Sequence, residues 1–281
     1  MNIGILHPGE MGISVAASAK NGGHDVFWAS DDRSENTRAR AEKYGLKDAV
    51  SLAKLCQVCS IILSVCPPHA AQGVAQRVIG TGFRGLYLDA NAISPQRSKE
   101  IGKMMEAAWI GYVDGGIIGG PAWERGQTWL YLSGPRADEI AVCFANGPLE
   151  TKIIGAEIGK ASALKMCYAA YTKGTSALLS AILAAAKEHQ ALTELNELWD
   201  LDEPGFASQI ERRVRRVTSK AWRFAGEMDE IAATFAAAGL PSGFHEAAAE
   251  IFRRMAGFKD SPAPPELIDV LASLQKQNPA G

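Results

Sequence analysis

The chain has 281 residues, 47% apolar and 21% charged. Those proportions exclude a disordered or collagen-like chain, and the length favours two domains over one core. With 29 Lys and Arg against 31 Asp and Glu the net charge is −2, so nothing draws the chain as a whole to nucleic acid or to an anionic membrane.

Residues 1–6 open without a basic region or a cleavage site. The most apolar long stretch, Ala161 to Ala186, is interrupted by Lys165, Tyr168, Lys173 and several hydroxyl residues. Neither a secretory signal nor a membrane span is expected. The five cysteines, Cys56, Cys59, Cys66, Cys143 and Cys167, read as reduced thiols of a cytoplasmic protein. Cys56 and Cys59 form a lone C-x-x-C without a second pair or clustered histidines. They read as small buried hydrophobes, and no metal site is expected.

Up to residue 155 short apolar runs alternate with helical patterns. The strands expected are Asn2–Leu6, Asp25–Trp28, Ser60–Val65, Gly85–Asp89, Trp109–Asp114, Trp129–Ser133 and Thr151–Ile154. The helices expected between the early ones are Met11–Asn21, Ser34–Tyr44, His69–Ile79 and Pro95–Met105. This alternation predicts an α/β fold, a Rossmann-type, doubly wound, mostly parallel sheet over residues 1–155, with its ligand at the carboxyl ends of the strands. After Gly155 the strand signal stops. A long interdomain helix from Ile158 to about Glu188 follows, then Gln209–Gly239, His245–Ala256 and Pro265–Gln275. Residues 156–281 are therefore expected to form an all-α domain.

The first strand runs into His7-Pro8-Gly9-Glu10-Met11-Gly12. A dinucleotide fingerprint G-x-G-x-x-G would have its second and third glycines at Gly9 and Gly12, with His7 in place of the first. Gly9 allows a pyrophosphate to approach, Gly12 allows close helix–strand packing, and the N–H groups from Glu10 and Met11 onward face the anion. The ordinary alternative is a Pro-Gly turn. Just past the second strand, the position where an NAD enzyme has an acid for the ribose holds Ser30. Ser30, Arg33, Ser34 and Arg38 instead suit the 2′-phosphate of NADP. Asp31 and Asp32 argue for NAD if the register moves by one, and Ser34 also suits a helix cap. NADP is favoured, with NAD possible.

These motifs, with Ser64-Val65-Cys66-Pro67-Pro68, Asp89-Ala90-Asn91-Ala92-Ile93-Ser94-Pro95, Asp114-Gly115-Gly116-Ile117-Ile118-Gly119-Gly120 and Gly159 to Lys165, resemble the β-hydroxyacid dehydrogenase family of 3-hydroxyisobutyrate and 6-phosphogluconate dehydrogenases. The resemblance covers most of residues 1–190; the rest resembles a subgroup whose helical domain has no assigned function. It implies that Val65, Cys66 and Pro67 line the cofactor, that Asn91 lies near the nicotinamide, and that Lys165 is the general acid/base of a hydride-transfer oxidoreductase. A lysine serves in that role when burial or a neighbouring cation brings it towards neutrality. A snorkelling surface lysine is the plain alternative.

The chain departs from the family pattern. Ala169 stands where an asparagine is common, leaving Tyr168 and Thr172 as hydroxyls on that face. Ile118 replaces a serine, leaving the backbone of Gly119 and Gly120 to hold an anion. Ile117, Ile118 and Trp123 suit either a larger, more apolar substrate or the core. His245 is a second catalytic candidate or a structural histidine, and Glu227 stands where relatives often carry a lysine. The site is expected in the cleft beside the long helix, shared across a homodimer that buries Leu178, Leu179, Ile182 and Leu183. The partner is a small-molecule substrate, with no nucleic acid and no membrane. The competing readings are an imine reductase, whose relatives carry Asp or Tyr in place of Lys165, and a non-catalytic NADP-binding sensor.

Overall fold

The structure is a computed structural model and describes residues 1–259 and 261–275. It has two compact units, Met1–Met166 and a second that starts at Cys167.

In chain order the first unit carries β1 (Asn2–Ile5), α1 (Glu10–Asn21), β2 (Asp25–Trp28), α2 (Glu35–Lys43), β3 (Lys47–Asp48), α3 (Leu52–Val58), β4 (Ile61–Ser64), α4 (Ala71–Gly80), β5 (Leu86–Asp89), α5 (Pro95–Ala107), β6 (Gly111–Gly119), β7 (Thr128–Ser133), α6 (Ala137–Ala141), β8 (Glu150–Gly155) and the start of α7 (Lys160–Ala169). The sheet order is β3-β2-β1-β4-β5-β6-β7-β8. All neighbours are parallel except β6 and β7. The chain winds outward in one direction from β1 and in the other from β4. That reversal opens a crevice at the carboxyl ends of these two strands.

Each face of the sheet is buried, as expected of parallel strands. On one face Ile3, Ile5, Leu63, Leu88 and Val113 pack against Ile13 and Val15 of α1, Ala41 of α2 and Ile140 of α6. On the other, Ile62, Tyr87 and Tyr112 pack against Leu55 of α3, Val74 and Val78 of α4, and Ile101 and Met105 of α5. Cys56 lies in α3 and Cys59 is its C-cap; both are buried and free.

The second unit is helical: a π turn at Ala170–Gly174, α8 (Thr175–Glu188), α9 (Leu192–Asp202), α10 (Phe206–Val217), α11 (Ala221–Ala237), α12 (Gly243–Arg254) and α13 (Leu267–Gln275). Among the described residues no helix is long and apolar enough to cross a membrane.

Several elements differ from the sequence expectation. The strand expected to stop at Asp114 runs on to Gly119, because its antiparallel partner β7 pairs with it from Asp114 to Gly119. Asp114–Gly119 is therefore strand throughout. The division into units falls inside a helix and not at Gly155, since the first turns of α7 are bonded to the sheet. Helical structure begins at Lys160 and reaches Glu188 only through the π turn, where the hydroxyls of Thr172, Thr175 and Ser176 bond back to the carbonyls of Tyr168, Tyr171 and Thr172. Arg213 of α10 also donates to the Thr172 carbonyl at 2.8 Å. The single helix expected over Gln209–Gly239 is two, α10 and α11, joined by a 3-10 turn at Thr218–Lys220 whose Thr218 hydroxyl bonds back to Arg215 O. Helix α9 was not expected; Leu192, Leu195, Leu198 and Trp199 have helical spacing, but none of its residues is buried. Of the four side chains offered as a dimer face, Leu183 is 2% exposed and belongs to the unit's own core.

Candidate cofactor and proton-transfer site

The turn after β1 is built by its two glycines. A Cβ on Gly12 would collide with the His7 carbonyl oxygen, so α1 lies against the end of β1 only because that position is glycine. A Cβ on Gly9, the N-cap of α1, would meet nothing within 4 Å. The space above the turn is therefore open where the orphan N–H groups at the start of α1 point, with Glu10 exposed and Met11 half-buried at its mouth. This cradle fits a pyrophosphate.

His7, in the place of the first fingerprint glycine, is turned inward. Burial, then Arg33 and Arg77, bring its imidazole down to about 4, so it is neutral. Its Nδ1 has no hydrogen-bond partner among the described residues. Arg33, after β2, donates to the Leu6 carbonyl at the end of β1 at 3.1 Å. Ser30 is buried, and its carbonyl accepts from Arg38 at 2.6 Å. Arg38 also donates to Arg33 O, so its guanidinium holds the loop backbone. Ser34 caps α2 through Thr37 N, which is the structural alternative weighed for it. Asp31 and Asp32 are exposed, and Asp32 has a φ of 58°.

Val65 and Cys66 follow β4 half-buried, with Pro67 exposed. Asn91 is 2% exposed. Its Oδ1 accepts from Cys66 N at 2.5 Å and its Nδ2 donates to Ser64 Oγ at 3.1 Å. Its side chain therefore braces the Val65–Pro67 segment.

The position of Lys165 follows from one carboxylate and one glycine. Asp114, fully buried on β6, accepts five hydrogen bonds. Its Oδ1 takes Ser98 Oγ (2.9 Å) and Ser162 Oγ (2.5 Å). Its Oδ2 takes Ser133 Oγ (2.9 Å), Gly159 N and Ser162 N (both 3.0 Å). It thus caps the start of α7 from the sheet, satisfying N–H groups that a helix leaves unpaired. A Cβ on Gly116 would lie 2.7 Å from Ala161 O and 3.0 Å from Lys165 Cβ, so glycine there lets α7 lie on β6. The register puts Ser64, Asp89 and Asp114 in one row across β4, β5 and β6. Gly116 is two residues past that row, about 7 Å beyond the edge where β4 and β5 end. Lys165, half-buried, therefore stands beside Gly116 on the carboxyl side of the β4–β5–β6 row.

The remaining candidates are placed differently. Gly119 and Gly120 are exposed at the end of β6, and Gly120 O accepts from Thr128 Oγ1. Ile117 is core and Ile118 half-buried. Trp123 stacks on Tyr44 at 4.9 Å and lines an open cleft of about 590 Å³ with Glu10, Arg40 and Lys43. It faces α1 and α2, not the β4 and β5 loops. In the second unit Tyr168 is exposed, and the Thr172 hydroxyl is spent on Tyr168 O. His245 is 6% exposed against Phe235 (4.2 Å) and Phe244 (5.2 Å), and burial lowers its pKa. It is a core histidine of that unit, the structural option for it. Glu227 pairs with Lys173 in a largely buried ion pair, with Lys173 also 4.8 Å over the Phe224 ring. Among the described residues no group of three or more His, Cys, Asp or Glu is arranged to hold a metal ion. Sequence reading missed the structural roles of Asp89, Asp114, Ser98, Ser133 and Ser162. The acid ending each of two successive apolar runs was the available signal.

The sequence profile of the NAD binding domain of 6-phosphogluconate dehydrogenase matches residues 2–142. The chain belongs to this family. As a member of the 6-phosphogluconate dehydrogenase-like family it is an NAD(P)-dependent oxidoreductase. Residues 186–255 match a domain of unknown function, DUF1932. An uncharacterized 28.5 kDa protein of Methanothermus fervidus is 30% identical over 199 residues, 70% of this chain and 76% of that one. Among solved structures, a conserved protein of unknown function described as similar to 3-hydroxyacid dehydrogenases is 25% identical, with a TM-score of 0.68 over 98% of this chain and 100% of that one. A 3-hydroxyisobutyrate dehydrogenase from Salmonella typhimurium shares the fold with a TM-score of 0.70 at 18% identity, covering 97% of this chain and 99% of that one.

Proposed function

We propose that this oxidoreductase prefers NADP and acts at a C–OH/C=O centre of a small, hydroxy acid-like substrate, with Lys165 as general acid/base. The observation that carries this reading is the seat of Lys165 over Gly116, past the carboxyl edge of the strands whose loops the cofactor would occupy. The dinucleotide supplies a hydride acceptor or donor. Gly9 and the start of α1 hold its pyrophosphate, and Val65 to Pro67 lie along it. In oxidation Lys165 Nζ takes the hydroxyl proton as hydride leaves the carbinol carbon. In reduction it returns that proton to the carbonyl oxygen. Gly119 and Gly120 offer backbone N–H groups to a substrate carboxylate. Preference for NADP is supported by Ser30 in place of an acid and by the Arg33 guanidinium at the end of β1. The exposed Leu178, Leu198 and Leu201 support assembly as a homodimer, which light scattering tests directly.

The decisive experiment is Lys165→Ala. NADPH binding, followed by its fluorescence, is expected to stay within about twofold. Turnover of hydroxy acids, aldehydes or imines, followed at the nicotinamide absorbance, is expected to fall by about 10²–10⁴-fold. A variant that turns over like the wild type overturns the assignment.

A further inference from the structure

Beneath the Val65–Pro67 segment lies a buried acid that the proposed chemistry does not use. Asp89 ends β5 and is 1% exposed. Its Oδ1 accepts from the Asn91 amide at 3.0 Å. Its Oδ2 has no hydrogen-bond partner among the described residues. A buried carboxyl oxygen with no protein partner is rare and calls for an explanation beyond packing. From Asp89 the bonding continues without a break. Asn91 holds Ser64 Oγ through Nδ2 and the Cys66 amide through Oδ1. The Ala90 amide donates to Ser64 O at 3.0 Å. One chain of hydrogen bonds therefore runs from the Asp89 carboxyl to the backbone of the segment read as lying along the cofactor.

We propose that Asp89 and Asn91 are positioning residues of the cofactor site, which hold Val65–Pro67 in its binding conformation with a firmness set by the charge on Asp89. This rests on the reading of that segment as a cofactor contact. An ionised Oδ1 makes the Asn91 N–H bond charge-assisted and stronger, so Asn91 and the Cys66 amide are held more rigidly. A protonated carboxyl loosens them. Burial, the dominant influence, and then neighbouring Asp114 raise the Asp89 carboxyl to about 7 against the pull of its bonds to Asn91, so both forms are populated near neutrality. The other titratable groups facing it are Tyr87 on its own strand, Tyr112 on β6 and Cys66 after β4, all pushed upward and uncharged at that pH. Arg77 of α4 and Arg33 act on Cys66.

The test measures the dissociation constants of NADPH and NADH by fluorescence between pH 5.5 and 8.5, with a thermal melt at each pH. Wild type is expected to bind several-fold more tightly as pH rises through neutrality. Asp89→Asn keeps an acceptor for Asn91 N and removes the titration, so its affinity is expected to be flat with pH. Asn91→Ala is expected to bind about tenfold more weakly at every pH. A purely structural Asp89 would shift the melts and leave the pH profile of binding in place, which overturns the proposal, as does a flat profile in wild type. If Asp89→Asn does not fold, Ser64→Ala, which deletes one acceptor of the brace, decides: several-fold weaker binding supports the proposal and unchanged binding overturns it. A wild type that binds neither nucleotide overturns the reading of the site, and this proposal with it.

Discussion

Gly116→Ala puts the placement of Lys165 to a quantitative test. The added methyl would sit 2.7 Å from Ala161 O and 3.0 Å from Lys165 Cβ. Ordinary van der Waals contact begins near 3.4 Å, so the start of α7 must retreat from β6 by about 0.7 Å. It cannot retreat without cost, because Asp114 binds it through Gly159 N and Ser162 N. Overpacking of this kind costs about 2 kcal/mol, or roughly 4–8 °C in the melting of the first unit. A displacement approaching 1 Å at a reacting group costs up to about 100-fold in rate. The nucleotide turn belongs to β1 and α1 and is untouched. The expected result is a fall in kcat of about 10- to 100-fold with NADPH affinity within about twofold. Gly80→Ala, at the far end of α4 where a Cβ meets nothing within 4 Å, is the control, expected to be neutral or to stabilise by up to about 1 kcal/mol. Wild-type turnover and melting in Gly116→Ala would refute the packing argument.

Other perturbations have equally definite outcomes. Asp89 has a folded-state value of about 7 against an ordinary 3.8, so its contribution is full below pH 3.8 and is lost as pH rises through 7. Chemical denaturation should show stability falling by roughly 4 kcal/mol over that window from this group, and Asp89→Asn should flatten the slope. Ser162→Ala removes the 2.5 Å bond to buried Asp114 and should destabilise by about 1–3 kcal/mol, read as a lower denaturation midpoint. Arg33→Ala should weaken NADPH by about 10- to 100-fold, the worth of a charged hydrogen bond, and NADH far less; equal losses would mean that Arg33 only braces Leu6. Glu227→Gln leaves Lys173 without its charged partner at about 13% exposure and should cost about 3 kcal/mol in a denaturant titration.

Much of the first unit was legible because its signals are local. Apolar runs closed by Gly, Pro or Asp marked the strands, and Gly9 and Gly12 marked the turn from their spacing alone. What failed was long-range. The extension of β6 to Gly119 depends on β7, nine or more residues further on. The function of Asn91 as a brace depends on Cys66 and Ser64, which lie 25 and 27 residues away. Whether His245 served chemistry or structure was open along the chain, because Phe235, which packs on it from α11, lies ten residues away. Lys165 was picked out by resemblance. The reason for its position, a glycine on a different strand, is invisible along the chain.

The cap that Asp114 places on α7 spans 45 and 48 residues of sequence. A nascent chain can close the β1–α1 turn long before it reaches Gly159, whereas the lysine helix can be anchored only once β6 is seated in the sheet and the loop back to it has closed. On the proposed reading, the nucleotide turn and the lysine that would serve as base therefore depend on contacts of very different range along the chain.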